Sequence, residues 1–211
     1  MHSGDCFLVP GPVRMSEACL QAMATPVMTA RGPEFRQVMA GLNSGLRYAF
    51  NLSPSKPEMK TQSWTGEDGY RVVVVSGSGT AAMEMVIANR FRSNDLVLVP
   101  TNGKFGERVA DICRQFCNVK HLNYEWGRSF DLYELEQQLE RGCYEALLIC
   151  HNETSTGITQ DAEAIAEMCE RHGVSFILDG ITSVGGMPVH PAKWKAAVSY
   201  THLRAHETGW Y

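Results

Sequence analysis

Residues 146–179 read ALLICHNETSTGITQDAEAIAEMCERHGVSFILD and contain two short apolar runs separated by one amphipathic segment. The runs at 146–150 and 174–178 have the length and composition of buried strands. Between them, Asp161 can cap a helix that Gly173 ends, which is the usual order of cap residues. A strand, a helix and a second strand in this order predict a βαβ unit with parallel strands.

The same alternation continues upstream of this unit. Further strands are predicted at 71–75, 96–99 and 119–122, and the segments between them carry apolar residues at helical spacing. Asp131 and Glu134 form a capping-box pattern at the start of one of these helices. We therefore expect an α/β fold with a mainly parallel sheet flanked by helices, whose ligands lie beyond the carboxyl ends of the strands.

The chain before residue 70 has a different character. Residues 1–52 are expected to form an N-terminal segment and helices that lead into the main domain, with one helix near 16–24 and a longer one from Pro33. Residues 53–69 are polar and rich in Pro, Ser, Lys and Gly, which predicts an exposed connector. The apolar stripe of the longer helix is expected to consist of Phe35, Val38, Met39, Leu42, Leu46 and Phe50.

Composition excludes several functional classes. With 44% hydrophobic and 20% charged residues, a net charge of -4 and both signs mixed along the chain, nothing suggests a nucleic-acid or membrane-binding surface. The N-terminus lacks a secretory pattern, and no apolar run approaches the roughly 20 residues of a membrane span. The seven cysteines are irregularly spaced, which indicates reduced thiols in the cytoplasm and predicts no metal site.

A glycine-rich turn follows the strand predicted at 71–75. It reads Ser76-Gly77-Ser78-Gly79-Thr80 and leads into a helix, where free backbone N–H groups could hold a phosphate. The turn lacks the third glycine of a dinucleotide fingerprint and the Lys of a Walker A loop. Taken alone, these residues are better explained as an ordinary tight turn between strand and helix.

Two other predicted strands end in polar residues. Asp179 follows the strand at 174–178, where its carboxylate could meet a ligand nitrogen or could cap a helix. Residues 151–157, HNETSTG, follow the strand at 146–150 and offer many hydrogen-bonding groups, although a solvated loop would look the same. We expect a structural role for His151.

Taken together, five segments resemble the class V aminotransferases, a pyridoxal-phosphate-dependent family of fold type I, and particularly the alanine–glyoxylate and serine–pyruvate branch. The resemblance covers residues 7 to 197, and it depends on the order and spacing of the segments. They are Pro10-Gly11-Pro12, the turn at 76–80, residues 102–106 (NGKFG), residues 153–157 (ETSTG), and Asp179 followed by residues 183–186 (SVGG).

The resemblance implies pyridoxal 5′-phosphate as the cofactor and assigns roles to its contacts. Ser78, Gly79 and Thr80 would hold the phosphate, and Thr154 would hydrogen-bond near the ring hydroxyl. On the ring itself, Phe105 would stack on one face, although Phe105 also fits the core stripe of its helix. Ile181 would pack under the ring, and Asp179 would pair with the protonated pyridine nitrogen, the catalytic contact that keeps the ring an electron sink.

The resemblance ends near residue 197. The family continues with a strand and a lysine that binds the cofactor covalently, but no lysine follows Lys195 in this chain, and Lys193 and Lys195 come too early. Residues 199–208 resemble a translated sequencing adapter. We therefore expect 70–197 to be a partial cofactor-binding domain, 198–211 to be a tail foreign to the family that forms no sheet strand from Ser199 onward, and the chain to be an inactive fragment.

The resemblance implies transfer of an amino group from a small amino acid, of the alanine or serine class, to glyoxylate or pyruvate by a homodimer. A 2-aminoethylphosphonate–pyruvate aminotransferase shares most of these motifs and is the alternative within the family. A non-catalytic phosphate- or nucleotide-binding module is the alternative from another class. Cysteine desulfurases fit less well, because that branch usually has a histidine where Phe105 stands.

Overall fold

A computed structural model of the chain describes residues 15–54 and 65–201. The helices within these ranges are α1 (Glu17–Met23), α2 (Pro33–Ala49), α3 (Gly79–Arg90), α4 (Lys104–Phe116), α5 (Leu132–Arg141) and α6 (Ala162–His172). The strands are β1 (Leu96–Thr101), β2 (Asn118–Asn123), β3 (Ala146–Cys150), β4 (Asn152–Glu153), β5 (Ile158–Thr159), β6 (Ser175–Asp179) and β7 (Val198–Tyr200). None of the helices in the described ranges is both long and apolar enough to span a membrane.

Five strands form one parallel sheet in the order β2-β1-β3-β6-β7, and β4 pairs with β5 in a short antiparallel ribbon. The sequence prediction of a parallel α/β sheet is confirmed, and β3 has the predicted bounds. The central strands are nearly continuous apolar runs because helices cover them on both sides. Asp179 is the last residue of β6 rather than the residue after the strand, and its register partner in β3 is Cys150.

Alternate side chains of the strands point to opposite faces of the sheet. Helices α3 and α4 cover the face that carries Val97, Val99, Leu148 and Ile177. Helices α5 and α6 cover the other face, where Phe176 is part of the core. The expected caps are also present: the side chain of Asp131 accepts hydrogen bonds at the start of α5, that of Asp161 at the start of α6, and Gly173 ends α6 at φ 66°.

The strand predicted at 71–75 is not present. Arg71 makes one isolated bridge with Thr65, and Val73, Val74 and Val75 are exposed. A run of β-branched residues favours an extended chain, but a strand also needs a neighbour to bond with. No strand among the described residues pairs with this run.

The apolar stripe predicted for α2 is wrong in part. Phe50 is buried, but Val38 and Leu42 are exposed, and the helix instead buries Asn43 and Arg47. The period of the pattern correctly predicted a helix starting at Pro33. Arg47 is buried because its guanidinium bonds to Asp68 and to the Tyr70 carbonyl, contacts that an apolar pattern does not predict.

The connector predicted as exposed is anchored at both ends, while residues 55–64 lie outside the described ranges. Arg47 is buried, and its guanidinium donates to both carboxylate oxygens of Asp68 at 2.7 and 2.8 Å. The same guanidinium donates to the carbonyls of Ser53 and Tyr70. The chain on both sides of residues 55–64 is therefore tied to α2.

The expectation that no sheet strand forms from Ser199 onward is wrong for Ser199 and Tyr200. Both belong to β7, which pairs with β6 in parallel so that Asp179 faces Tyr200, and the Tyr200 side chain is buried. The free edge of β6 supplies a partner for these residues, and the tyrosine ring fills the core beside α3 and α4. Residues 202–211 lie outside the described ranges.

Candidate active site

The carboxyl edge of the sheet collects the polar segments that the sequence singled out. Phe105 lies in the first turn of α4, just after β1. Thr154 follows the two-residue strand β4, which comes directly after β3, and Asp179 ends β6. Strands β1, β3 and β6 are parallel neighbours, so their carboxyl ends meet at the same edge. The structure therefore places Phe105, Thr154 and Asp179 at the carboxyl edge of the sheet. Their roles toward a cofactor remain predictions.

Asp179 is a buried carboxyl with few partners. The residue is 3% exposed, and its carboxylate accepts a hydrogen bond from the backbone N–H of Ile181 at 3.0 Å. Tyr200 is its register partner in β7. Burial raises the pKa of Asp179 from 3.8 to about 7, and the negative charge of Glu153 acts in the same direction. No Lys or Arg in the described ranges pairs with it. A cation bound next to Asp179 would therefore favour the ionised form of its carboxyl group.

Glu153 holds the neighbouring turn in place, and the sequence analysis gave it no individual role. Its side chain is fully buried. One carboxylate oxygen accepts from the backbone N–H groups of Phe105 and Gly106 at 3.0 and 2.9 Å, and the other accepts from Ser155. The only signal in the sequence was an acidic residue within the polar cluster that follows a buried strand.

Phe105 is half-buried at the beginning of α4. The guanidinium of Arg108, one helical turn later, lies 5.2 Å from the centre of its ring, within cation–π range. Farther along the helix, Val109, Ile112 and Cys113 are buried in the core. The Phe105 ring thus sits at the margin between the core and the sheet edge.

The glycine-rich turn forms the start of α3. Ser78 caps the helix by accepting a hydrogen bond from the backbone N–H of Ala81 at 3.2 Å. The N–H groups of Gly79 and Thr80 have no acceptor among the described residues. Since α3 is 12 residues long, packs on the sheet and ends just before the amino end of β1, its first turn points toward the carboxyl edge.

The turn after Asp179 is connected to the turn after β3. The Thr182 hydroxyl donates to the carbonyl oxygen of Asn152 at 2.8 Å, and the Asn152 amide donates to Thr182 at 3.0 Å. Ile181, next to Thr182 in the chain, is half-buried and packs against the core cluster that contains Tyr200. The two turns that flank Asp179 are therefore held together.

His151 lies on the other face of the sheet. Its ring packs edge-on against Trp194 with the ring centres 5.8 Å apart, and its Nδ1 has no partner in the described part of the chain. Burial lowers its pKa, which favours the neutral ring. This environment agrees with the structural role expected for His151.

Four lysines lie in the described ranges, and none of them pairs with Asp179. Lys120, on β2, is exposed. Lys104 is exposed and pairs with Glu107 at 3.6 Å. Lys193 and Lys195 pair with Glu163 and Glu170 of α6, on the opposite side of the sheet. Among the described residues, no lysine amine therefore contacts the Asp179 carboxyl.

Three comparisons with known proteins agree on the family. A family model described as aminotransferase class-V matches residues 49–202. The soluble hydrogenase small subunit of Synechococcus sp. is 29% identical over 92% of this chain and 48% of its own length. The (S)-ureidoglycine–glyoxylate transaminase of Bacillus subtilis is 29% identical over 90% of this chain and 42% of its own length.

Solved structures share the fold. An alanine–glyoxylate aminotransferase from Nostoc sp. superposes with a TM-score of 0.80 at 32% identity, covering 95% of this chain and 51% of that protein. This chain thus spans about half the length of the relatives it matches. The family match includes β1 to β7 and every turn at the carboxyl edge described above. By fold and by sequence, the chain belongs to the class-V aminotransferase family.

Proposed function

We propose that this chain carries the cofactor-binding part of a pyridoxal-phosphate-dependent aminotransferase, with Asp179 as the catalytic contact. One observation carries the proposal: a buried carboxyl at the end of β6 has a pKa raised to about 7 and no cationic partner in the described ranges. A protonated pyridine nitrogen would supply that cation, and its positive charge would lower the pKa of Asp179 on binding.

The chemistry of the neighbouring groups fits the same ligand. The free N–H groups of Gly79 and Thr80, with the Ser78 hydroxyl beside them, suit a phosphate at the positive end of α3. Phe105 and Ile181 offer apolar surfaces for the two faces of a ring. Thr154 offers a hydroxyl for the ring oxygen.

When bound, pyridoxal phosphate supplies an electron sink for the negative charge that forms at the substrate α-carbon. The chain's own contribution is to bind and orient. Asp179 would hold a proton on the pyridine nitrogen, and α3 would balance the phosphate charge. Attaching the cofactor and moving the proton at the α-carbon both require a lysine. We assign neither role to a described residue, because no described lysine pairs with Asp179.

For the whole protein, we propose amino-group transfer from a small amino acid, alanine or serine, to glyoxylate or pyruvate. Support comes from two relatives whose names specify glyoxylate as a substrate. A 2-aminoethylphosphonate–pyruvate aminotransferase is the alternative substrate class. Homodimer formation and a cytoplasmic location stay predictions.

The test is direct binding of 4′-deoxypyridoxine 5′-phosphate, which has the ring and phosphate but no aldehyde, followed by its fluorescence. We expect the 211-residue chain to bind it and Asp179→Asn to weaken binding about tenfold, since a charge-assisted contact is lost. Asp131→Asn, the same change at a distant helix cap, should leave the affinity unchanged. Equal affinities for both variants, or preferred binding of NAD, would instead favour a nucleotide-binding module.

A further inference from the structure

We propose that Glu153 is a positioning residue that locks the start of α4 to the turn at 153–157, so that Phe105 and Thr154 are held as one unit. The claim that this lock affects ligand binding rests on the proposed function. The lock itself is a property of the chain and can be measured without a ligand.

The hydrogen bonds of Glu153 divide between the two elements. One carboxylate oxygen accepts from the backbone N–H groups of Phe105 at 3.0 Å and Gly106 at 2.9 Å. The other accepts from the backbone N–H and the hydroxyl of Ser155 at 3.1 and 2.7 Å. In addition, the Ser155 oxygen accepts from the backbone N–H of Lys104 at 2.9 Å. The two residues together satisfy three successive N–H groups in the first turn of α4.

Burial makes these bonds strong. Glu153 is fully buried, and no Lys, Arg or His in the described ranges pairs with it. Its charge faces backbone N–H donors at the positive end of a helix, an arrangement that stabilises a carboxylate. Gly103 provides the space, because a Cβ there would lie 2.4 Å from the Glu153 Cγ.

The lock connects the two side chains through the backbone. Phe105 is one of the residues whose N–H is held, so the position of its ring follows the position of the first turn of α4. Thr154 lies between Glu153 and Ser155, and both of these contact that turn. Removing the carboxylate should therefore loosen both sides of the candidate site together.

Hydrogen exchange tests the lock. Glu153→Gln keeps the shape of the side chain, but its NH₂ group cannot accept a hydrogen bond. On one side, either at Phe105 and Gly106 or at Ser155, this NH₂ group would therefore face other hydrogen-bond donors. We expect exchange at the amides of Phe105, Gly106 and Ser155 to rise together by about tenfold or more. Ser155→Ala, a milder change, should raise exchange at Lys104. Loosening on one side alone would overturn the lock.

Ligand affinity tests whether the lock positions the site. Glu153→Gln should weaken binding of 4′-deoxypyridoxine 5′-phosphate about tenfold. The control is Asp131→Ala, which removes the cap of α5 and should leave the affinity unchanged despite its loss of stability. Unchanged affinity in Glu153→Gln would reduce Glu153 to a structural residue and overturn the proposal. Failure of the wild-type chain to bind the ligand would count against the proposed function. Hydrogen exchange alone would then test whether Glu153 holds the two elements together.

Discussion

Asp179 should make stability depend on pH in an unusual direction. Its pKa in the folded chain is about 7, above its ordinary value of 3.8, so between these values the folded state keeps a proton that the unfolded state loses. Stability should therefore fall as the pH rises from about 4 to about 7. We predict that Asp179→Asn stabilises the chain by about 1–3 kcal/mol at pH 8 and has little effect at pH 4.

Urea unfolding at the two pH values checks this prediction. A gain at pH 8 together with weaker ligand binding would mean that the chain keeps an unfavourable buried carboxyl for function. The same change in the free energy of unfolding at both pH values would contradict the raised pKa.

Gly103 tests the close approach of two backbone segments. An added Cβ would lie 2.4 Å from the Glu153 Cγ and 2.6 Å from the Ser155 Oγ. Gly103→Ala should therefore cost about 2 kcal/mol, since the buried Glu153 has no room to move. The control is Gly41→Ala inside α2, where nothing lies within 4 Å of the new methyl group. That change should stabilise by about 0.5–1 kcal/mol, and the two variants should shift the melting temperature in opposite directions.

At the scale of elements, Arg47 joins α2 to the segment at 65–70. Removing one partner of a buried ion pair leaves the other charge without compensation, so Arg47→Met should cost about 3 kcal/mol. The control is Arg128→Met, which breaks an exposed pair with Glu125 and should cost less than about 0.5 kcal/mol. Chemical denaturation gives both values. A small loss for Arg47→Met would mean that residues 65–70 do not depend on α2.

Whether a strand could be predicted from the sequence depended on its surroundings in the fold. Strands β1, β3 and β6 were predictable because burial on both faces leaves a continuous apolar run in the sequence. The valines at 73–75 have the same composition, yet no described strand lies beside them. Whether an apolar run becomes a strand depends on its neighbour, which local composition does not specify.

At the scale of the molecule, we predict that the 211-residue chain does not catalyse transamination. Lysine chemistry needs an amine next to the cofactor carbon, and the described lysines are either exposed or paired away from Asp179. Borohydride treatment with pyridoxal phosphate should trap no unique lysine. No amino group should pass from alanine or serine to glyoxylate or pyruvate. A single trapped lysine together with measurable turnover would refute this.

The division into residues 1–52, 53–69, 70–197 and 198–211 remains a prediction, now with two boundaries in question. Asp68 is held by Arg47, so the second segment is attached to the helix before it. The family match and β7 both extend beyond residue 197. A limited proteolysis pattern would locate the boundaries independently.

The sequence by itself determined the βαβ alternation, the caps of α5 and α6 and the polar turns at the carboxyl edge, because periodicity and capping act over a few residues. Tertiary structure alone decided the bonds from Glu153 to Phe105, the pairing of Arg47 with Asp68, and the strand at Tyr200. It also decided the raised pKa of Asp179. These features depend on groups that are distant in the chain, and on water being excluded between them, so no local pattern could specify them.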